Sequence, residues 1–151
     1  MNPPMLQLAE QCILLHIPGK TKESVLREMA EIAHQRISHI ETDVIFNALW
    51  EREQIGSTGV GNGVAIPHAR IKGLDRMLLC FARSLEGINY DALDNQPVYY
   101  IFMILCPVDS AGTYLKTLAA ASRLLKQSEI RLRLRLATRQ QEIIDIFLQG
   151  P

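Results

Sequence analysis

Two stretches in the N-terminal third of the chain carry hydrophobic residues at the spacing of an amphipathic helix. The first follows Thr21 or Ser24, whose hydroxyl groups can accept a hydrogen bond from the free amides at a helix start. The second follows Thr42 or Asp43 and stops at Gly56, a residue type that is common just beyond helix ends. The pattern therefore predicts two consecutive helices before the middle of the chain.

The C-terminal part of the chain predicts three further helices. The first is expected to begin at Thr113 as its N-cap, after a loop over residues 107–112. Residues 130–136 alternate between hydrophobic and basic side chains, as a strand would, but they lie between helical stretches, and we predict a helix there. The sequence Thr138-x-x-Gln141 has the form of a capping box and is expected to open the last helix.

Short uninterrupted runs of hydrophobic residues lie between these helices. They predict buried strands over residues 12–17, 64–66, 77–82 and 98–105, and the longest, 98–105, is expected to be the central strand. Residues 88–93 fit either a short strand or a turn. Strands separated by helical segments indicate the α/β fold class, with one sheet covered by helices.

The composition fits a single globular domain over residues 1–151, in which 48% of the residues are hydrophobic. The 16 basic residues balance 16 acidic ones, which argues against a nucleic-acid or membrane-surface partner. No hydrophobic run reaches the roughly 20 residues of a membrane span, so we expect no membrane insertion. The arginines of residues 131–139 are assigned to a solvated helix face rather than to a nucleic-acid patch.

The cysteines favour a reducing compartment. Cys12, Cys80 and Cys106 lie in apolar surroundings and form no Cys-x-x-Cys motif, so we expect buried free thiols in the cytoplasm. No basic segment precedes an apolar core near the N-terminus, and we expect no secretory signal.

Glycine is densest in residues 56–63, where four glycines occur within eight residues. Backbone amides in such a stretch can point together at an anion, and its hydroxyl and amide side chains add further donors. Pro67 ends the short strand that follows, so His68 is expected at a fixed strand exit facing this loop. No Gly-Lys-Ser/Thr sequence closes the loop and no helix opens after it, which argues against a Walker or dinucleotide-binding loop.

These features predict an anion site beside a histidine suited to receive a phosphoryl group. The alternative is a mobile loop followed by a surface histidine. Arg52, in the last turn of the preceding helix, either complements the helix C-terminus or points its planar donor group at a bound anion. The other histidines, His16, His34 and His39, show no metal-ligand spacing with His68, and we expect neither a metal nor another cofactor.

The stretch from Arg52 to His68 closely resembles the phosphorylation-site signature of fructose/mannitol-type IIA domains of the bacterial phosphoenolpyruvate:sugar phosphotransferase system. The segment Asp94–Val98 and the Pro-x-Asp loop at Pro107 agree with the same family, so the resemblance covers nearly the whole chain. The Gly-Asn-Gly form, in a chain without carrier or membrane domains, is most similar to the nitrogen-regulatory branch.

The resemblance implies a central mixed β-sheet flanked by helices and a cytoplasmic phosphoryl carrier. It implies an HPr-type phosphocarrier as the phosphoryl donor. His68 matches the phosphorylated histidine, which uses ring Nε2, and Arg52 matches the arginine that faces the phosphoryl group. The remaining phosphate-binding residues are expected in the glycine-rich stretch: Ser57, Thr58, Gly59, Gly61, Asn62 and Gly63.

One position departs from the family, which usually has a second histidine where Tyr114 stands. A tyrosine can donate one hydrogen bond but cannot become a cation, which puts onward transfer in question more than phosphorylation itself. The main hypothesis is a regulator whose phosphorylated and free forms bind different partners. The second is a sugar-specific IIA component that passes phosphate to a separate IIB domain. The third is a binding module that no longer carries phosphate.

Overall fold

The longest hydrophobic run of the sequence forms the central strand β6 (Val98–Pro107) of a computed structural model that describes residues 6–150. Its antiparallel neighbour is the other long strand, β5 (Leu78–Ile88). Over residues 100–105 the side chains of β6 point alternately into the two hydrophobic clusters that cover the sheet faces. Burial on both faces explains why this strand reads as a nearly continuous hydrophobic run.

The other edge of β6 carries two short parallel strands, β3 (Val64–Ala65) and β4 (His68–Ile71). β1 (Ile13–Leu14) runs parallel to β5, and β2 (Gly59–Gly61) runs antiparallel to β3. The strand order is therefore β1-β5-β6-β3-β2, with β4 also beside β6. The expected mixed sheet is confirmed.

Helices cover both faces of this sheet. One face is covered by α1 (Lys22–Arg36) and α2 (Thr42–Ile55). The other is covered by α3 (Ala111–Leu125), α4 (Ser128–Leu136) and α5 (Gln140–Gln149). Within residues 6–150, no helix is long and apolar enough to cross a membrane.

The predicted start of α1 is confirmed, whereas that of α2 is wrong by one residue. The Ser24 amide donates to Thr21 Oγ1 and the Thr21 amide donates to Ser24 Oγ, both at 3.3 Å, which forms a reciprocal capping box. At α2 the extended Glu41 occupies the N-cap position and Thr42 is already helical. Thr42 and Asp43 therefore lie in the first turn rather than at the cap.

The predicted starts of α3 and α5 are also wrong. α3 has Ser110 at its N-cap and Thr113 inside the helix, because the Ser110 hydroxyl closes a turn onto the Pro107 carbonyl at 2.9 Å. Before α5, the amide and hydroxyl of Thr138 donate to Glu142 Oε1 at 3.3 and 3.1 Å. The capping-box pattern predicts Gln141 as the partner of Thr138, but the partner is the next residue, Glu142.

The helix predicted over residues 130–136 is confirmed as part of α4. Ile130 and Leu134, one turn apart, are fully buried, whereas Leu132 and Leu136 are 55% and 66% exposed. Burial of every fourth residue is the pattern of a helix packed on one side, and it overrides the strand-like alternation.

Two predicted strands have the wrong length. The first was expected over residues 12–17, but Cys12 closes a 3-10 turn onto the Ala9 carbonyl at 2.9 Å, and only Ile13 and Leu14 pair. The strand expected over residues 77–82 continues as β5 to Ile88. Of residues 88–93, which fitted either a short strand or a turn, only Ile88 lies in a strand, Asn89 forms an isolated bridge with Thr21, and a turn begins at Leu93.

β5 continues past a charged side chain, Arg83, that is buried and hydrogen-bonded. Arg83 is 7% exposed. Its guanidinium group donates at 2.7 to 2.8 Å to three backbone carbonyls, those of Leu15, Leu134 and Ala137. These bonds replace the water that a buried guanidinium group loses, so the strand tolerates a residue that interrupts the hydrophobic pattern.

Candidate functional site

The glycine-rich stretch, which was expected to be a loop, contributes to a β-hairpin of β2 and β3. Asn62 and Gly63 form the turn with φ angles of 59° and 74°, as in the type I′ turn that Asn-Gly sequences favour. Gly59 is required for close packing, because an added Cβ atom would lie 2.7 Å from the Cβ atom of Ala92. The glycines therefore shape a tight hairpin.

The hairpin separates the residues that were expected to bind phosphate. Ser57 and Thr58 line the cavity in front of His68. Gly61 and Gly63 lie at the turn with Asn62 between them, and these three are not among the residues that line the cavity.

His68 is the first residue of β4 and does not lie at a strand exit. β3 and β4 follow the same edge of β6 and are interrupted at Pro67, whose carbonyl still accepts from the Ile104 amide at 3.0 Å. His68 itself is paired with Ile104 and is 8% exposed. The central strand thus fixes the backbone of the histidine on the sheet.

Two hydrogen bonds define the state of the His68 ring. Nδ1 lies 2.7 Å from the Ile66 carbonyl oxygen, which can only accept, so Nδ1 carries the proton. Nε2 lies 3.2 Å from Arg52 Nε, whose N–H can only donate, so Nε2 presents its lone pair. His68 is therefore a neutral imidazole with a nucleophilic Nε2.

The surroundings favour this neutral state. Burial is the largest effect and lowers the pKa of His68 below its ordinary value of 6.5, and the positive charge of Arg52 lowers it further. The hydrogen bond to Ile66 and the charge of Glu53 act in the opposite direction but do not reverse the shift. At neutral pH the Nε2 lone pair is therefore available.

Arg52 bonds both to the end of α2 and to His68. Its Nη1 donates to the Gly56 carbonyl at 2.8 Å, just beyond α2, which holds the guanidinium plane at the helix end. Its Nε donates to His68 Nε2 at 3.2 Å. An arginine anchored in this way can turn its remaining N–H groups to the oxygens of an anion bound at Nε2.

Tyr114 lies in the first turn of α3 and contacts His68 edge-on. The two ring centroids are 5.4 Å apart and the ring planes cross at 64°. Burial raises the pKa of Tyr114, so its hydroxyl group keeps its proton at neutral pH. The structure thus brings together the three residues His68, Arg52 and Tyr114 that the sequence singled out.

Ser57 and Thr58 differ in how their donors are used. The Ser57 hydroxyl oxygen accepts from the Gly59 amide at 3.1 Å, and its own hydrogen remains to be donated to an anion in the cavity. Thr58 is 2% exposed; its amide donates to Glu53 Oε1 at 3.1 Å and its hydroxyl donates to Glu53 Oε2. The Thr58 donors are therefore engaged by Glu53.

Glu53 is a structural residue of the site that the sequence interpretation missed. Its carboxylate is buried and forms an ion pair with Lys22 Nζ at 3.0 Å, and Tyr90 completes the network with a 2.9 Å bond to the Thr58 hydroxyl. The signal was present in the sequence, because Glu53 continues the buried face of Ile45 and Leu49 at four-residue spacing. A carboxylate on a buried helix face needs such partners.

The cavity in front of His68 has a volume of about 460 Å³. Its lining combines polar side chains, among them Arg52, Ser57 and His68, with hydrophobic ones, of which Val60 and Leu115 are exposed at 49% and 61%. Among residues 6–150, no three His, Cys, Asp or Glu side chains cluster where they could hold a metal ion. The arrangement combines one nucleophilic nitrogen with donors for an anion and an apolar rim.

Residues 7–150 match the family model described as phosphoenolpyruvate-dependent sugar phosphotransferase system, EIIA 2. The chain is 36% identical over 142 residues to the fructose-specific EIIABC component of Bacillus subtilis, a match that covers 94% of this chain and 22% of that longer protein. It is 35% identical over 151 residues to the nitrogen regulatory protein of Escherichia coli, covering 97% of this chain and 92% of that protein.

The fold has an equally clear counterpart. The crystal structure of the nitrogen regulatory protein IIA-Ntr from Neisseria meningitidis matches with a TM-score of 0.88 and 32% identity, covering 93% of this chain and 95% of that chain. Both comparisons confirm the resemblance that the stretch from Arg52 to His68 indicated. The chain belongs to the EIIA 2 family of the phosphoenolpyruvate-dependent sugar phosphotransferase system.

Proposed function

We propose that this protein carries a phosphoryl group on His68 Nε2 and regulates partner proteins through its phosphorylation state, as a member of the nitrogen branch. The observation that carries the proposal is the pair of hydrogen bonds that leaves Nε2 as a neutral nucleophile beside Arg52. The similarity to proteins named nitrogen regulatory protein supports the choice of branch.

An HPr-type phosphocarrier is the proposed phosphoryl donor. The Nε2 lone pair of His68 forms a bond to phosphorus while the phosphorus–nitrogen bond of the donor breaks, and the donor imidazole leaves with that electron pair. The Nδ1 proton stays on the ring, held by the Ile66 carbonyl at 2.7 Å, which stabilises the positive charge that develops. Such transfers depend chiefly on positioning and charge stabilisation.

The donors around Nε2 have different proposed roles. The Nε–H of Arg52 turns away from His68 and donates a hydrogen bond to a phosphoryl oxygen, and the Ser57 hydroxyl donates to another phosphoryl oxygen. Tyr114 contributes one neutral donor where the family usually has a histidine. Thr58 and the glycines Gly59, Gly61 and Gly63, with Asn62, hold the hairpin that presents Ser57.

One of the comparisons supports a second candidate function. The relative with 36% identity is a fructose-specific component, so a sugar-specific IIA protein that passes phosphate to a separate IIB domain is the competing candidate. A binding module that does not carry phosphate is the third, because Tyr114 replaces the second histidine. In all three cases we place the protein in the cytoplasm, where its free cysteines remain reduced.

The test uses phosphoenolpyruvate, enzyme I and an HPr-type carrier, with the intact mass of this protein as the readout. We expect the mass to increase by one phosphoryl group, and the increase to disappear in His68→Ala. His34→Ala is a matched control, since His34 Nδ1 also bonds to a carbonyl at 2.7 Å but is not the residue beside Arg52. This control should be phosphorylated at the rate of the parent protein.

Adding a fructose-type IIB domain to the phosphorylated protein separates the first two functions. Retention of the phosphoryl group supports the regulator, whereas rapid transfer to the IIB domain supports the sugar component. If the folded protein gains no phosphoryl group from any HPr-type donor, the result supports the third candidate, the binding module that does not carry phosphate. Phosphorylation that persists in His68→Ala would overturn the assignment of the carrier residue.

A further inference from the structure

Two of the three cysteines lie side by side on the face of the sheet covered by α1 and α2. Ile13 and Leu14 of β1 pair in parallel with Phe81 and Ala82 of β5, and this register places Cys12 beside Cys80 one position earlier. Both thiols belong to the same hydrophobic cluster, whereas Ile13 and Phe81 belong to the cluster on the opposite face. Adjacent strands are about 4.7–4.9 Å apart, which lies within the Cα separation of disulfides.

The two thiols interact, and their surroundings make them unequal. The neighbouring Cys80 thiol has the largest effect on Cys12 and, with the charge of Arg36 and the Ala9 backbone, lowers the pKa of Cys12 to about 7, against the opposing effect of burial. The Cys12 sulfur and burial raise the pKa of Cys80. Cys12 is therefore the more acidic thiol of the pair.

A surface cavity leads to this pair. It has a volume of about 360 Å³, and Cys12, Arg36 and Arg76 are among the residues that line it. Cys12 is only 1% exposed, so a large reagent is excluded, but a molecule a few atoms in size can enter the cavity. A small polar oxidant therefore meets a thiolate beside arginine side chains.

Cys106 provides an internal contrast. It is fully buried in β6, its thiol donates to the Ala69 carbonyl at 3.9 Å, and burial raises its pKa. An inert buried thiol of this kind is the ordinary state of cysteine in a protein core. Cys12 departs from that state, and the departure lies outside the His68 cavity.

We propose that Cys12 and Cys80 form a peroxide-reactive dithiol that closes into a reversible disulfide. The Cys12 thiolate attacks one oxygen of a hydroperoxide, the O–O bond breaks, and the leaving oxygen takes up a proton to form an alcohol, or water from hydrogen peroxide. The Cys80 sulfur then attacks the Cys12 sulfenic acid, and its sulfur–oxygen bond breaks to release water with the Cys80 proton. Two thiols are oxidised to a disulfide and the peroxide is reduced.

The experiment exposes the folded protein to hydrogen peroxide, removes the peroxide with catalase, and alkylates the remaining thiols after denaturation. Peptide mass mapping should show Cys12 linked to Cys80 and Cys106 alkylated, and dithiothreitol should reverse the link. Cys106→Ser should form the same link. Cys80→Ser should stop at a Cys12 sulfenic acid, which dimedone traps when the peroxide-treated protein is unfolded in its presence.

Arg36→Met tests the environment of Cys12. Since Arg36 is exposed at the end of α1, we expect the variant to fold and to react more slowly at pH 7, because the positive charge of Arg36 is one of the influences that lower the pKa of Cys12. The proposal is overturned if both thiols of the peroxide-treated folded protein remain alkylatable. It is equally overturned if Cys80→Ser yields no trapped sulfenic acid, or if the unfolded chain reacts as fast as the folded protein.

Discussion

Replacing Arg52 by lysine is expected to slow phosphoryl transfer to His68 without unfolding the protein. Lysine keeps the positive charge but presents one compact ammonium group in place of a planar set of donors. In the native side chain, Nη1 is bonded to the Gly56 carbonyl at 2.8 Å while Nε reaches His68 Nε2 at 3.2 Å. An ammonium group that bonds to the Gly56 carbonyl is displaced from the position where the phosphoryl oxygens develop charge.

The size of the effect follows from the contact that is lost. A hydrogen bond to a charged group contributes about 1.5–3 kcal/mol, and each 1.36 kcal/mol in a barrier changes a rate tenfold. If the Arg52 contact forms with the transferring group, its loss should reduce the transfer rate by roughly 10- to 150-fold. We expect Arg52→Lys near the lower end of this range, since part of the charge interaction is kept, and Arg52→Ala near the upper end.

The assay is the initial rate at which a phosphorylated HPr-type carrier transfers its phosphoryl group, followed by intact mass. Arg139→Lys is the matched control, because Arg139 lies at the surface with its side chain 75% exposed and should leave the rate unchanged. Urea unfolding of each variant separates lost chemistry from lost stability. Parental rates in both Arg52→Lys and Arg52→Ala would refute the reasoning and leave Arg52 with a helix-capping role alone.

Three further predictions concern Tyr114, Glu53 and His68. Tyr114→Phe should shorten the phosphohistidine lifetime about two- to tenfold, the loss of one neutral hydrogen bond, as measured by phosphate release, and Tyr114→His should make transfer vary with pH. Glu53→Gln should lower the free energy of unfolding in urea by about 3 kcal/mol, because Lys22 loses its buried counter-ion, whereas the exposed Glu51→Gln should change it little. The parent protein should lose stability as the pH falls from about 6.5 to the lowered pKa of folded His68, and His68→Gln should lack this loss.

The sign of the last effect follows from proton binding. The pKa of folded His68 lies below that of the unfolded chain, so the unfolded chain binds more protons between the two values and stability rises with pH there. Unfolding curves with the same pH dependence in the parent and His68→Gln would contradict the lowered pKa. Equal phosphate release in Tyr114→Phe would reduce Tyr114 to a packing role, and equal stability of Glu53→Gln and Glu51→Gln would show that the Glu53 network contributes little.

The elements with strong periodicity could be predicted from the sequence. The hydrophobic stripe of α1 and the long run of β6 each have one structural solution, since the first fits a helix packed on one side and the second a strand buried on both faces. The motif around His68 likewise indicated that this histidine and Arg52 lie close together. These features depend on residues close together in the chain, and local patterns are what a sequence displays.

The parts that could not be predicted depend on contacts between distant residues. Arg83 reads as a break in a strand until the carbonyls of Leu15 and Leu134, far away in the chain, accept hydrogen bonds from it. The hairpin at Asn62 and Gly63 was different, since the Asn-Gly pair is a strong local turn signal. The density of glycine in residues 56–63 suggests a loop, whereas the Asn62-Gly63 pair alone indicates the hairpin turn that the structure contains.

The same distinction explains why the site is held so firmly. His68 is fixed by the central strand and Arg52 by the end of α2, elements that meet only in the folded chain. Glu53, the residue after Arg52, ties that helix end to Thr58 and to Lys22 of α1. A displacement of α2 would therefore move Arg52 and Ser57 together, because Glu53 and Thr58 connect the two sides of the Gly56 turn. The distance between the arginine and the hairpin hydroxyl is thus set by the hydrogen bonds from Thr58 to Glu53, so an anion that binds there need not order the two donors on arrival, which is what catalysis by positioning requires.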